Sequence, residues 1–132
     1  MIIEKKRGDI LKSNEKRIAF AVNTEGANGF GFAGRISRNF WPELEYIGRT
    51  ELGTVFTKNV SGIEFFALCC YSIKDGWNNQ KDVIKQCFDA IPGDEPVASV
   101  SMGIGIIDFL LCANFKLIRA GMETSEKKII LY

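Results

Sequence analysis

The sequence predicts a single α/β domain, a mixed sheet covered by helices on both faces. Three observations carry this. Two short apolar runs, Arg17–Asn23 (RIAFAVN) and Val97–Ser101 (VASVS), suit strands buried on both faces. Between them the period changes: Val83, Ile84, Cys87, Phe88 and Ile91 share one stripe, while Lys81, Lys85, Gln86 and Asp89 face away. The chain has 132 residues, which suits one domain, 1–132, with a real hydrophobic core.

Ile2 to Lys6 reads as a first strand, and Arg17 to Asn23 as a second that ends in a polar loop. Phe32, Ile36 and Phe40 lie four apart with Arg35, Arg38 and Asn39 between them, which predicts a short amphipathic helix to Trp41. Pro42 ends it or starts the next turn. Gly53–Lys58 and Ile63–Tyr71 read as two strands around the turn Asn59–Gly62. Asn79–Ile91 is the clearest helix, with Asn78 or Asn79 as its cap and Pro92-Gly93 as its stop. After the strand Val97–Ser101, Asp108 starts a helix that ends near Gly121, a left-handed C-terminal cap. Lys127–Tyr132 closes the chain as a strand.

Composition narrows the chemistry. With 17 basic and 16 acidic side chains the net charge is +1, so no global field draws nucleic acid or an anionic membrane. No apolar run approaches the roughly 18 residues of a membrane span. The N-terminal MIIEKKRGDIL lacks the order of a signal peptide. These features predict an intracellular, cytoplasmic protein. Cys69, Cys70, Cys87 and Cys112 form no C-x-x-C pair and are expected to be buried, reduced thiols, the last two in helices. There is no histidine. Ser-His and Cys-His nucleophile pairs, imidazole bases and the usual zinc ligands are therefore excluded, and no metal or cofactor is expected.

Two glycine loops stand out. Asn28–Gly34, NGFGFAG, holds a G-x-G-x-x-G. A Rossmann reading fits poorly: Thr24–Asn28 separate the strand from Gly29, and the acid at the right distance, Glu51, precedes a strand instead of ending one. No Gly-Lys-Ser/Thr comes after it, which excludes a Walker A loop. The alternatives are a loop that wraps an anion with its amides and the positive end of the next helix, or a tight strand-to-helix connection. A second loop of the same kind, Ser101-Met102-Gly103-Ile104-Gly105, also comes after a buried strand and precedes a helix. If the two strands are parallel neighbours, both loops face one crevice and can hold a diphosphate from both sides.

With these loops in place the sequence resembles a macro domain, the ADP-ribose-binding fold. Gly8-Asp9-Ile10-Leu11 is similar to the family's G-D-I motif, Ala21-Val22-Asn23 to the V-N strand end, Gly29-Phe30-Gly31-Phe32-Ala33 to the G-x-G-I-A loop, and Ser101–Gly105 to the second G-x-G loop. The compact branch that includes the terminal ADP-ribose protein glycohydrolase looks nearest. The resemblance implies a three-layer α/β/α domain with a mixed central sheet of about six strands. It implies that Asp9 accepts a hydrogen bond from the adenine amine, helped by the Ile10 amide, and that Asn23 sits near the distal ribose. It further implies that the amides of Gly29, Phe30, Gly31 and Phe32, and of Gly103, Ile104, Gly105 and Ile106, hold the diphosphate.

The sequence also departs from the pattern. Asn23 is succeeded by Thr24-Glu25-Gly26, not by the N-A-A-N run of many hydrolytic members, and the three-glycine run of that class is missing. The glycohydrolase-like branch uses a lysine and an aspartate. Lys74 lies close to where that lysine falls, and Asp108 lies one residue later than that aspartate. Both residues also have plainer readings, an exposed loop charge for Lys74 and a helix cap for Asp108. Three functions remain open: an enzyme hydrolysing ADP-ribosyl esters or protein-linked ADP-ribose with Lys74 and Asp108, a non-catalytic ADP-ribose reader, and a fold relative binding another nucleotide or RNA. The expected partners are ADP-ribose or a related nucleotide, with an ADP-ribosylated protein as a further one. No membrane is expected, and the balanced charge argues against nucleic acid. Tyr132 is a candidate for adenine stacking by position alone.

Overall fold

The structure, a computed structural model, describes residues 1–132. Along the chain come β1 (Ile2–Lys5), β2 (Arg17–Asn23), α1 (Gly31–Asn39), β3 (Val55–Val60), β4 (Ile63–Tyr71) and α2 (Gln80–Asp89). After them come β5 (Val97–Ser99), α3 (Ile106–Leu110), α4 (Phe115–Thr124) and β6 (Ile129–Leu131). Two 3-10 turns, Ile10–Lys12 and Pro42–Tyr46, fill the connections after β1 and α1. No helix is long and apolar enough to cross a membrane.

The six strands make one mixed sheet in the order β1-β6-β5-β2-β4-β3. All pairs are parallel except β3 with β4. Period-2 alternation in β2 and β4 supplies both faces. Ile18, Phe20 and Val22 join Phe65, Ala67 and Cys69 in a core with Ala33 and Ile36 of α1. Ala19, Phe66, Leu68 and Cys70 turn the other way, onto Val83, Ile84, Cys87 and Phe88 of α2 and Ile118 and Met122 of α4. The result is the three-layer α/β/α arrangement expected from the sequence. Phe20, Phe65, Phe66 and Phe88 have no exposed surface, and each contributes roughly 1.5–3 kcal/mol by burial.

Parallel pairing positions the site. Ile18 of β2 pairs with Ala98 of β5 and with Phe65 of β4, so three strands deliver their carboxyl ends to one edge of the sheet. The loops leaving β2 and β5 are therefore neighbours, as a shared crevice requires.

Three sequence expectations need correction. The single helix from Asp108 to Gly121 is two helices, α3 and α4, broken where Cys112 adopts a left-handed φ of 64°. Asn114 forces the restart: its Oδ1 accepts from the Lys116 and Leu117 amides at 3.0 and 3.3 Å. Gln80 of α2 secures the break by donating to the Cys112 carbonyl at 2.9 Å and accepting from the Asn114 amide at 2.5 Å. Cys112 is consequently exposed, unlike the buried Cys69, Cys70 and Cys87. Second, Gly121 is not a C-cap. It lies inside α4 against α2, where a Cβ would come within 2.6 Å of the Lys81 carbonyl oxygen and 2.8 Å of Ile84 Cβ. Third, Asn79 holds the N-cap position of α2, but neither its side chain nor that of Asn78 bonds the helix's first amides. Asn79 is left-handed with no side-chain cap bond, and Asn78 donates instead to the Asp75 carbonyl.

The close approach of α2 and α4 gives a first prediction. Gly121→Ala gains helix propensity, yet it forces the two helices apart. It is expected to destabilise the fold by roughly 1–2 kcal/mol, read as a lower urea midpoint at an unchanged m-value.

Candidate functional site

The loop after β2 is built by two buried asparagines. Asn23 Nδ2 donates to the Ala27 carbonyl and Oδ1 accepts from the Ala27 amide, both at 2.9 Å. Asn28 Oδ1 accepts from the Asn23 amide at 3.2 Å, and its Nδ2 donates to the Leu44 carbonyl at 3.4 Å. Gly26, at φ 75°, fits because a Cβ there would strike the Gly48 carbonyl oxygen at 2.5 Å. The chain then enters α1 through Gly31 at φ 63°. No side chain caps α1, and its first helical bond runs from the Gly34 amide to the Phe30 carbonyl at 3.0 Å. The amides of Gly31, Phe32 and Ala33 are thus the free donors of a helix N-terminus. Phe32 anchors this turn against Phe20, with ring centroids 5.9 Å apart.

The loop after β5 turns at Gly103, φ 75°, where a Cβ would collide with Ile118 Cδ1. It reaches α3 at Gly105, whose amide donates to Asp108 Oδ2 at 3.2 Å. Both loops line one cavity of about 360 Å³: Phe30 to Ala33 on one side, and Ser101 to Gly103 with Gly105 to Asp108 on the other. Ala21, Tyr71 and Trp77 form its inner wall. A second hollow, of about 550 Å³, is lined by Gly8, Asp9, Ile10, Arg35, Ile104 and Tyr132 and shares Phe32, Val100 and Ser101 with the first. The shared residues place the two hollows side by side.

Neither a family model nor a curated protein matches this sequence. Solved structures do match the fold. The macrodomain of Mycobacterium tuberculosis DarG superposes with a TM-score of 0.74 at 15% identity, over 100% of this chain and 97% of that one. The Trypanosoma brucei macrodomain in complex with ADP-ribose gives 0.58 at 14% identity, over 96% of this chain and 62% of that one. Alphavirus P23pro-zbd gives 0.65 at 18% identity; this chain is covered over 98% but spans 21% of that longer chain.

The chain has the macrodomain fold.

Within this cleft, the residues singled out from sequence separate into two groups. Asp9, Ile10 and Ile104 line the outer chamber, and Phe30, Gly31, Phe32, Gly103, Gly105 and Ile106 line the inner one. Asp9 is held in place from two sides: Oδ1 accepts from the Leu11 amide at 3.1 Å and Oδ2 from Arg35 at 2.8 Å. The Arg35 guanidinium and the Leu11 amide hold its carboxyl below the ordinary value. Tyr132 lines the same chamber, and its hydroxyl donates to Glu15 at 3.2 Å.

The second group lies elsewhere. Asn23 is 1% exposed and lines neither chamber, because its amide is spent on the Ala27 backbone. Gly29 packs against Glu45, and its carbonyl accepts from Arg38 at 3.1 Å. Lys74 is exposed and lines neither chamber, whereas Asp108 lines the inner one. Lys74 and Asp108 form no ion pair with each other, and of the two only Asp108 lines the cleft. Gly105 does line the cleft, but its amide is already committed to Asp108. Asp108 takes its second bond from Trp77 Nε1, which donates to Oδ1 at 3.3 Å.

Two features escaped the sequence reading. Tyr71 and Trp77 stack, with centroids 4.8 Å apart and planes 8° from parallel. Burial pushes the Tyr71 phenol up to about 12, so it is a neutral hydroxyl. The other feature is Glu25, which ties the β2 loop to the turn after β4. Its carboxylate accepts from the Ser72 hydroxyl (2.7 Å), the Ile73 amide (2.9 Å), the Lys74 amide (3.3 Å) and the Thr24 hydroxyl (3.0 Å). An acid in a glycine loop carries no sign of partners 47 to 49 residues away.

Burial pushes the Glu25 carboxyl up, but those four donors outweigh it and bring it down to about 2. A folded value below the unfolded one stabilises fully above the ordinary 4.5, and this contribution is lost as pH falls toward 2. Glu25→Gln is expected to lower Tm by a few degrees at pH 7. Melting curves across pH should show that gap closing between about pH 4.5 and 2.

Proposed function

We propose that this chain binds ADP-ribose or a closely related nucleotide, with the diphosphate between the two glycine loops. The observation that carries the reading is the joint lining of one cavity by the loops after β2 and β5, one of them ending in the uncapped N-terminus of α1. A macrodomain of the same fold is known in complex with ADP-ribose, which supports the choice of ligand.

In this reading the outer chamber takes the adenosine. The Asp9 carboxylate accepts from the adenine amine, since an ionised carboxylate keeps lone pairs beyond the two already used. The Ile10 amide assists, and Tyr132 is the aromatic group beside it. The diphosphate lies on the amides of Gly31, Phe32 and Ala33 and faces those of Gly103, Ile104 and Ile106. No lysine or arginine lines the inner chamber, so neutral amides and the α1 dipole carry the anion. Gly105 and Asn23 serve as loop builders. ADP-ribose attached to a protein would enter from the same mouth.

Binding is the function the geometry favours over lysine-based hydrolysis, because Lys74 lies outside both chambers. Calorimetry with ADP-ribose tests this. Asp9→Ala is expected to weaken binding about tenfold or more, the loss of a hydrogen bond to a charged acceptor. Lys74→Ala should leave the affinity within about twofold, since a screened surface charge contributes little. Absence of heat at millimolar ligand with folded protein would overturn the proposal.

A further inference from the structure

The inner chamber contains more than a diphosphate needs. Tyr71 and Trp77, stacked on each other and only 7% and 3% exposed, contribute to its lining, and Asp108 is the charged residue of that lining. A carboxylate only accepts hydrogen bonds, and it repels anions. Its two oxygens each take one internal bond, from Trp77 Nε1–H and from the Gly105 amide, which leaves lone pairs on both. Indole and phenol rings attract a cation through their quadrupoles, tryptophan most strongly. A diphosphate would use the loop amides and make no use of the aromatic residues or of the lone pairs left on Asp108. A bare sugar hydroxyl could bond Asp108 but would gain little from two stacked rings. The ligand feature that uses both is flat, aromatic and positively charged.

We propose that the Tyr71–Trp77–Asp108 end of the inner chamber is a subsite for a planar cationic heteroaromatic ring, of the pyridinium class, carried on the far ribose of the bound nucleotide. The proposal rests on the ADP-ribose reading for the direction in which the nucleotide lies. It makes the dinucleotide that still carries its pyridinium ring a better ligand than its uncharged counterpart. Binding alone is proposed, with no bond made or broken.

Calorimetry on the full chain with three probes tests it: ADP-ribose, NAD⁺ and NADH. The last two differ at the ring, cationic in one and neutral in the other. NAD⁺ is expected to bind about tenfold more tightly than NADH, and the ratio should shrink as salt is raised. Asp108→Asn, checked for fold by near-ultraviolet circular dichroism, should bring the ratio below about twofold. In the unmodified protein, the Trp77 indole N–H resonance should shift more with NAD⁺ than with ADP-ribose. Equal binding of NAD⁺ and NADH would overturn the subsite, and ADP-ribose binding alongside it would leave the nucleotide reading intact. A preference for NAD⁺ without any ADP-ribose binding would sink that reading and keep the subsite. If none of the three binds, both fail.

Discussion

β2 is hydrogen-bonded in parallel on both sides, to β4 and to β5. Most of the molecule depends on that arrangement. A central parallel strand has no wet face, so its residues must be apolar in both directions, and helices must cover both. It also has a polarity: all three strands end at the same edge. The segments that leave the strands there, from Asn23, Ser72 and Val100 onward, are forced into one neighbourhood. The cleft is the consequence, lying where the carboxyl ends of parallel strands leave a gap between diverging loops.

Holding that gap open takes polar work at one rim and steric work at the other. Asn23, Asn28 and Glu25 fold the first loop by saturating its backbone and the adjacent turn. Gly103 lets the second loop pass over Ile118 without a Cβ in the way. The first loop can then spend little on itself where it meets the cavity, and the α1 amides stay unpaired. Free amides cost least when they are solvated or when a ligand takes them. The same division accounts for the acidic end: Trp77 and Gly105 each give one hydrogen bond to Asp108, which fixes a carboxylate beside an aromatic wall.

Much of the fold could be read along the chain. β2, β4 and α2 were legible because their apolar spacing matches one period over several residues. The G-x-G-x-x-G of Asn28–Gly34 was legible as a loop but misleading as a signature. Gly34 serves packing: a Cβ there would lie 2.7 Å from the Gly29 carbonyl oxygen. The break between α3 and α4 was missed because the apolar residues of 104–117 continue across it, while the Asn114 cap and the Gln80 clasp act through hydrogen bonds. Gly121 looked like a stop because a single sequence does not tell a left-handed glycine from one that makes room for a neighbouring helix.

Local sequence was enough to specify the layers and the two glycine loops, because alternation, helical stripes and turn residues act over a few positions. Which loops face each other, that Asp108 meets Trp77, and that Tyr71 stacks on Trp77 were settled by tertiary structure alone. Those outcomes depend on parallel strand order and on contacts between residues far apart in the chain. Local spacing carries no information about them, since the energy that selects them appears only when the sheet has formed.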